Sequence, residues 1–133
     1  MTAKILIVDD DRELRRALTI RLRASGYDVV HAEDGLGAVS IARRERPDAV
    51  LLDLGLPGGD GLTVLGRYEN LAELSAVPVI VLTGRDPSVA AEQVRPYIIE
   101  ALLTKPVDND VLLDTIGRAV TGSVVGAGVG VRS

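Results

Sequence analysis

The sequence predicts an α/β protein in which a doubly wound, five-stranded parallel sheet is covered by helices on both faces. Three observations lead to this fold class. Short apolar runs alternate with segments of helical periodicity, five times along the 133 residues. The apolar runs are continuous, which is typical of strands buried on both faces. Alternation of such strands with helices is the pattern of a parallel sheet with helices packed on its two faces.

Each predicted strand is a short run rich in Val, Ile and Leu. The five runs span residues 5–8, 27–31, 49–53, 77–82 and 101–104. The second run is the weakest of them. Pro78 lies near the start of the fourth run, the only part of a strand where proline is tolerated.

An aspartate precedes each predicted helix. Its side chain can accept hydrogen bonds from the free backbone N–H groups of the first turn, so these residues mark helix starts. The five capping candidates are Asp11, Asp34, Asp60, Asp86 and Asp108. Pro87 follows Asp86 in the first helical turn, a position that favours proline. Gly26, Pro47 and Pro96 end the first, second and fourth helices.

The composition indicates one domain with an aliphatic core. Hydrophobic residues make up 47% of the chain, charged residues 26%, and there is no Phe, Trp or Cys. The net charge of −4 argues against non-specific nucleic-acid binding. We predict a domain over residues 1–120 and a flexible Gly/Val-rich tail or linker stub over 121–133. No signal-peptide pattern or apolar run of roughly 20 residues is present, so we expect a cytoplasmic protein without a membrane segment.

Polar side chains follow four of the five predicted strands. Asp9 and Asp10 follow the first strand, Asp53 the third, Thr83 the fourth and Lys105 the fifth. Parallel α/β sheets carry their sites beyond the carboxyl ends of the strands, so these groups should share one edge. The second strand ends at His31, which we interpret as an ordinary surface histidine. Any one of these residues could simply end a strand, but their joint placement predicts a site.

Three clustered carboxylates require a counter-charge. Two unit charges about 4 Å apart repel by about 4 kcal/mol at an effective dielectric constant near 20. Only oxygen ligands are available from these acids, which favours a hard cation, and we predict Mg²⁺. A solvated acidic loop without a metal is the alternative. Lys105 is one of only two lysines in a chain rich in arginine, and its compact ammonium suits contact with a carboxylate or phosphate.

Four motifs together resemble the receiver domain of two-component response regulators. They are Ile7–Asp10, Leu51–Leu54 followed by Pro57 and Gly61, Val81–Gly84, and Thr104–Pro106. The resemblance covers roughly residues 4 to 120. It implies a (βα)5 flavodoxin-like fold with strand order 2-1-3-4-5, an order that comes from the family and not from the pattern of this chain.

The resemblance also implies a magnesium site. Asp10, Asp53 and the backbone carbonyl of Gly55 would hold Mg²⁺, and Asp9 would assist through a water molecule. Phosphoryl transfer depends mainly on positioning and charge stabilisation, and such a site supplies both.

The implied function is that of a phospho-acceptor switch. Asp53 would accept a phosphoryl group from the phosphohistidine of a sensor histidine kinase or a histidine phosphotransfer protein. Thr83 would bond a phosphoryl oxygen, and Lys105 would pair with the acceptor or the phosphoryl group. The surface around the fourth strand, fourth helix and fifth strand would then shift. The chain would lose its own phosphoryl group slowly and would not be a turnover enzyme.

One departure from the family pattern affects the switch. Family members usually carry an aromatic residue three positions before the lysine, where this chain has Leu102. Tyr97 could substitute for it. With Ile98 and Ile99, Leu102 predicts an apolar surface for a homodimer or a downstream protein; alternatively these residues fill the core.

Two other functions are open from the sequence. A haloacid-dehalogenase-like phosphohydrolase uses similar residues, but that family requires a second aspartate two positions after the nucleophile, where this chain has Gly55. A receiver-like interaction module that works without phosphorylation would be expected to lack some of the acidic residues.

Overall fold

The computed structural model describes residues 2–57 and 60–125, and it is a five-stranded parallel sheet flanked by helices. The strands are β1 (Lys4–Val8), β2 (Asp28–Ala32), β3 (Ala49–Leu52), β4 (Val79–Thr83) and β5 (Ala101–Thr104). The helices are α1 (Arg12–Ala24), α2 (Gly35–Glu45), α3 (Gly61–Asn70), α4 (Pro87–Val94) and α5 (Asn109–Val125). The strand order β2-β1-β3-β4-β5 confirms the order that the family resemblance implied.

The sheet separates two aliphatic cores, which explains why its strands are apolar on both faces. Alternate strand residues such as Leu6 and Leu52 point to one core, which α2, α3 and α4 complete. Their neighbours, such as Ile5 and Leu51, point to the other core, which α1 and α5 complete. Side chains of successive strand residues project to opposite faces, so a central strand needs apolar residues at every position. The predicted doubly wound fold is confirmed.

Aspartate side chains cap the helices as predicted. The caps of α1, α2, α3 and α4 accept hydrogen bonds from first-turn amides, and the Asp108 carboxylate accepts one from Val111 N at 3.1 Å. Gly26 follows the end of α1 with φ of 94°, a conformation that glycine adopts without strain.

Strand boundaries differ slightly from prediction. β4 begins at Val79 and not at residue 77, because Pro78 has no N–H to donate to the sheet, although its carbonyl accepts from Val50 N. β2 is displaced by one residue and ends at Ala32.

The strand register brings the predicted polar residues to one edge. Val8 pairs with Leu52, so Asp9 and Asp53 follow paired positions on neighbouring strands. Asp53 N also donates to the carbonyl of Val8 at 2.9 Å. On the other side, Thr83 pairs with Thr104, the residue before Lys105.

Helix α5 runs to Val125, beyond residue 120, where we expected the domain to end. Residues 126–133 of the expected tail lie outside the described part of the chain, and the division at residue 120 stays a prediction. Within the described residues, no helix combines the length and apolar character needed to cross a bilayer.

Candidate functional site

Three carboxylates meet at the carboxyl edge of the sheet. One ligand oxygen each from Asp9, Asp10 and Asp53 lies within 4.8 Å of the other two. Asp9 and Asp53 are 3% and 8% exposed, whereas Asp10 is open to solvent. The sequence predicted this convergence from the ends of two strands that prove to be neighbours in register.

Lys105 provides the counter-charge within this group. Its Nζ lies 2.7 Å from Asp9 Oδ2 and 3.6 Å from Asp53 Oδ1. Burial of the ammonium lowers the pKa of Lys105, but the hydrogen bond to Asp9 and the negative charges of Asp53 and Asp9 outweigh burial, so the net pKa is raised. Lys105 therefore stays protonated, and its closest contact is Asp9.

Asp53 is in an environment that disfavours its charged form. Burial raises the pKa of its carboxyl, and the charges of Asp9 and Asp10 raise it further. The charge of Lys105 and a hydrogen bond from the Gly55 backbone N–H act in the opposite direction but do not cancel the increase. An added cation near this carboxylate would therefore relieve an existing electrostatic strain.

Asp9 is held in place by groups that sequence analysis did not identify. Its Oδ1 accepts a hydrogen bond from Asp11 N at 2.9 Å, and its backbone carbonyl accepts one from Arg15 Nη1 at 2.7 Å. Arg15 lies one turn into α1, and its side chain is only 12% exposed. Helix α1 carries five arginines, and nothing in their pattern singles out Arg15.

Thr83 ends β4 with its side chain buried at 1% exposure. Its Oγ1 accepts a hydrogen bond from Arg85 N at 3.1 Å, and its carbonyl accepts one from Lys105 N at 2.8 Å. These bonds fix the β4–α4 loop to the end of β5. A change in the orientation of the Thr83 hydroxyl is thus linked directly to the backbone of this loop.

Arg85 joins the two loops that follow β3 and β4, and sequence analysis did not predict this contact. Its Nη2 lies 2.9 Å from Asp60 Oδ2 and donates to the Leu54 carbonyl at 3.3 Å. Its Nη1 donates to Gln93 Oε1 in α4 at 2.8 Å. We call this group the Arg85 clamp. It ties the loop next to Asp53 to the start of α3 and to α4.

Two glycines shape the loop after β3. A Cβ at Gly61 would lie 2.4 Å from the Asp53 carbonyl oxygen and 2.6 Å from the Leu54 Cα, so no larger residue fits there. Gly61 N donates to the Leu54 carbonyl at 2.8 Å. A Cβ at Gly55 would be 4.0 Å from Asp53 Oδ2 and meet nothing closer among the described residues, so the Asp53 side chain is approachable from this side.

The predicted apolar surface is only partly exposed. Ile98 is 73% exposed, but Ile99, Leu102 and Tyr97 pack against the core between the sheet and α2–α4. Ile98 is therefore part of an exposed surface, as one alternative predicted, whereas Ile99 and Leu102 are half-buried and pack against the core. Val89 of α4 is a second exposed apolar side chain in the segment between β4 and β5.

The donor set suits a hard divalent cation. All three groups offer carboxylate oxygens, and one oxygen of each lies within 4.8 Å of the others, a spacing that suits a shared cation. Mg²⁺ binds through few carboxylates, retains several waters and leaves positions for phosphate oxygens. The residues present therefore fit the magnesium site that the sequence suggested.

Comparison with known proteins identifies the family. The family model of the response regulator receiver domain matches residues 5–117. PilH of Pseudomonas aeruginosa PAO1 is 39% identical over 120 residues, which cover 90% of this chain and 99% of PilH. The transcriptional regulatory protein KdpE of Mycobacterium tuberculosis H37Rv is 37% identical over 123 residues. That match covers 92% of this chain but only 53% of KdpE, so the chain spans about half the length of that relative.

A solved structure shows the same fold. The CheY-like response regulator receiver domain protein of Methanospirillum hungatei JF-1 superposes with a TM-score of 0.88, at 24% identity, over 96% of this chain and 100% of the other. The family match covers most of the chain, and the strand order, the acidic cluster and Lys105 agree with it. This chain belongs to the response regulator receiver domains of two-component systems.

Proposed function

We propose that this receiver domain is a phospho-acceptor switch in which Asp53 takes a phosphoryl group from the phosphohistidine of a sensor kinase or a phosphotransfer protein. The observation that carries the proposal is the crowding of three carboxylates around one ammonium at a sheet edge. Crowding of this kind is unfavourable in isolation, and it becomes favourable when a cation and a phosphoryl group complete the site. The proposed location is the cytoplasm.

The metal ligands in this proposal are the carboxylates of Asp10 and Asp53 and the backbone carbonyl of Gly55, with Asp9 assisting through water. Bound Mg²⁺ would neutralise charge on the phosphoryl oxygens. The spacing of the acidic oxygens, at most 4.8 Å, supports a shared ion. Lys105 Nζ lies 2.7 Å from Asp9 Oδ2, so its ammonium balances part of the negative charge of the cluster.

In the transfer step, an Asp53 carboxylate oxygen forms a bond to phosphorus, and the P–N bond of the phosphohistidine breaks. The electron pair of that bond stays on the imidazole nitrogen. Lys105, 3.6 Å from Asp53 Oδ1, is close enough to pair with the phosphoryl group. The open side at Gly55 leaves room for the donor. With Gly55 in place of a general acid, repeated turnover of phosphomonoesters is not expected.

The switch would act through Thr83 and its loop. Phosphorylation adds about −1.5 to −2 charges and several acceptor oxygens beside Thr83. If the Thr83 hydroxyl turns to donate to a phosphoryl oxygen, its bond with Arg85 N and the position of the β4–α4 loop change with it. Leu102 packs on the core, so the loop and the Arg85 clamp, and not an aromatic rotamer at residue 102, would carry the change to α4.

The partner surface in this proposal is the face formed by α4, β5 and α5. Val89 of α4 and Ile98 between α4 and β5 are exposed apolar side chains, at 50% and 73%. A homodimer or a downstream protein would cover them when the loop moves.

The test is labelling with acetyl phosphate and Mg²⁺, followed by mass mapping of the phosphoryl adduct. We expect one adduct, on Asp53, which disappears in Asp53→Asn and when Mg²⁺ is chelated. Asp34→Asn is the matched control, because asparagine caps a helix as well as aspartate and Asp34 lies outside the cluster. A folded wild-type protein that takes no label under these conditions would favour the alternative of an interaction module without phosphorylation.

A further inference from the structure

A groove of about 610 Å³ lies between α1 and β2, and positively charged side chains line most of it. Its lining includes Arg12, Arg15, Arg16, Arg23, Thr19 and His31. Nothing in the phosphorylation site uses this groove, although Arg15 connects the two regions through the Asp9 carbonyl. A volume of this size lies within the range of small-molecule sites in proteins.

The groove is basic because of the helical spacing of the arginines. Residues three and four positions apart share one face of a helix. Arg12, Arg15 and Arg16 form the first turn of this face, and Arg23 continues it about 16 Å farther along the axis from Arg12. Arg21 projects from the opposite side of α1 and does not line the groove. The cations therefore lie along one side of α1 as a stripe, with Thr19 and Ile20 between Arg16 and Arg23.

The inner wall of the groove is fixed by hydrogen bonds. Thr19 Oγ1 lies 2.7 Å from the Arg15 carbonyl and 2.7 Å from His31 Nε2. The hydroxyl has one proton, which it donates to the carbonyl, so His31 Nε2 must be the donor in the second bond. The Arg15 guanidinium is held between the Asp9 carbonyl and Glu33. These contacts fix the three side chains of the inner wall.

The outer cations have no such partners. Within residues 2–57 and 60–122, the guanidinium groups of Arg12, Arg16 and Arg23 form neither an ion pair nor a hydrogen bond. Glu33, which pairs with Arg15 at 3.6 Å, has a side chain that is 74% exposed. The chain as a whole carries a net charge of −4, so this stripe is a local concentration of positive charge in an acidic protein. Like charges at this spacing destabilise a helix, and a bound anion would offset that effect.

We propose that the groove between α1 and β2 binds a phosphate-rich small anion of nucleotide size. Guanidinium groups bind phosphate through paired, charge-assisted hydrogen bonds, and they also stack on planar rings. Ile20, which is 65% exposed and lines the groove, offers an apolar contact for the remainder of such a ligand. This site is separate from the phosphorylation site and does not depend on it.

The chain offers a unique probe of the groove, because His31 is its only histidine. Burial lowers the pKa of His31, and the charges of Arg15 and Arg23 lower it further, with Glu33 as the acidic group nearby. A bound polyphosphate would oppose those arginine charges, so the pKa of His31 should rise on binding. The imidazole signals in NMR report this change without interference from another histidine.

The experiment is an NMR titration with inorganic tripolyphosphate and, separately, with ATP. Both titrations are done in buffer that contains a chelator and no divalent cations. We expect saturable shifts of the His31 signals, a raised His31 pKa, and tighter binding of ATP than of tripolyphosphate because of the Ile20 contact. The amides of Thr83 and Lys105 report any binding at the acidic site, and Asp53→Asn should leave the His31 response unchanged.

Matched arginine variants decide whether the stripe is a site. Arg16→Ala with Arg23→Ala should weaken binding at least about tenfold, in line with the loss of charge-assisted hydrogen bonds. Arg21→Ala, on the opposite side of the same helix, should have little effect. Equal losses in both variants, or unmoved His31 signals at millimolar polyphosphate, would overturn the proposal. Unaltered thermal unfolding of each variant would show that its fold is intact.

Discussion

Replacing Asp53 with asparagine should make the folded protein more stable at neutral pH when no divalent cation is present. Ligand oxygens of Asp9 and Asp10 lie within 4.8 Å of an Asp53 oxygen, and at an effective dielectric constant near 20 each pair repels by at least about 3.5 kcal/mol. The attraction between Lys105 and Asp53, 3.6 Å apart, offsets about 5 kcal/mol of this repulsion. Solvent weakens the repulsion between Asp53 and the exposed Asp10. Burial of the Asp53 carboxylate then makes its net environment unfavourable.

Asparagine keeps the shape of the side chain and removes its charge, while Lys105 stays paired with Asp9 at 2.7 Å. We expect a gain of about 1 kcal/mol in the free energy of unfolding, or about 3 °C in melting temperature for a chain of this length. The assay is thermal unfolding followed by circular dichroism at neutral pH in a chelator. Added Mg²⁺ should stabilise the wild type and have much less effect on Asp53→Asn.

The pH dependence gives a second check on the same reasoning. The pKa of Asp53 is raised in the folded protein, so the folded state binds a proton at this carboxyl more tightly than the unfolded chain does. The loss of stability caused by the charged Asp53 carboxylate in the wild type is therefore fully present above the raised pKa. This loss disappears as the pH falls through that pKa. The stability difference between the variant and the wild type should narrow on acidification. A variant that is less stable than the wild type at neutral pH would refute this account of the cluster.

Two further substitutions test the loops around the site. Gly61→Ala should destabilise the protein by about 2 kcal/mol in denaturant unfolding, because the new Cβ would lie 2.4 Å from a backbone oxygen of the β3–α3 loop. Gly66→Ala is the control and should not destabilise the protein, because the nearest contact of its Cβ would be at 3.7 Å. Equal effects of the two substitutions would contradict the packing argument. Arg85→Ala should cost about 1 kcal/mol and speed amide exchange in the β4–α4 loop, because it breaks the contacts with Asp60 and α4. Arg44→Ala, which loses only an ion pair with its chain neighbour, is the control, and unchanged exchange in the Arg85 variant would count against a clamp.

Much of the site could be predicted because it depends on strand ends. Continuous apolar runs indicated a parallel sheet, and the carboxyl ends of parallel strands share an edge, so Asp9 and Asp53 had to converge if their strands were neighbours. The neighbour relation itself came from the family resemblance. The helix starts were equally accessible, since an aspartate cap is a local feature of the sequence.

Contacts made by long side chains could not be predicted in the same way. Arg15 reaches the Asp9 carbonyl, and Arg85 joins three elements, through rotamers that depend on the packed tertiary structure. The thirteen arginines give no local signal for which of them turns inward. Similarly, the apolar pattern could not show that Ile98 is exposed while Leu102 packs on the core, because adjacent apolar residues at a strand entrance can face either way.

The most direct measurement of the central claim is a titration of the wild type with beryllofluoride and Mg²⁺, followed by ¹⁹F and amide NMR. We predict stoichiometric binding that requires both components, with shifts at Thr83, Arg85 and Lys105. Asp53→Asn should abolish the bound fluoride signals. If the wild type, folded and with Mg²⁺ present, shows no bound fluoride, or if Asp53→Asn binds equally well, then Asp53 is not the acceptor and the proposed switch is wrong.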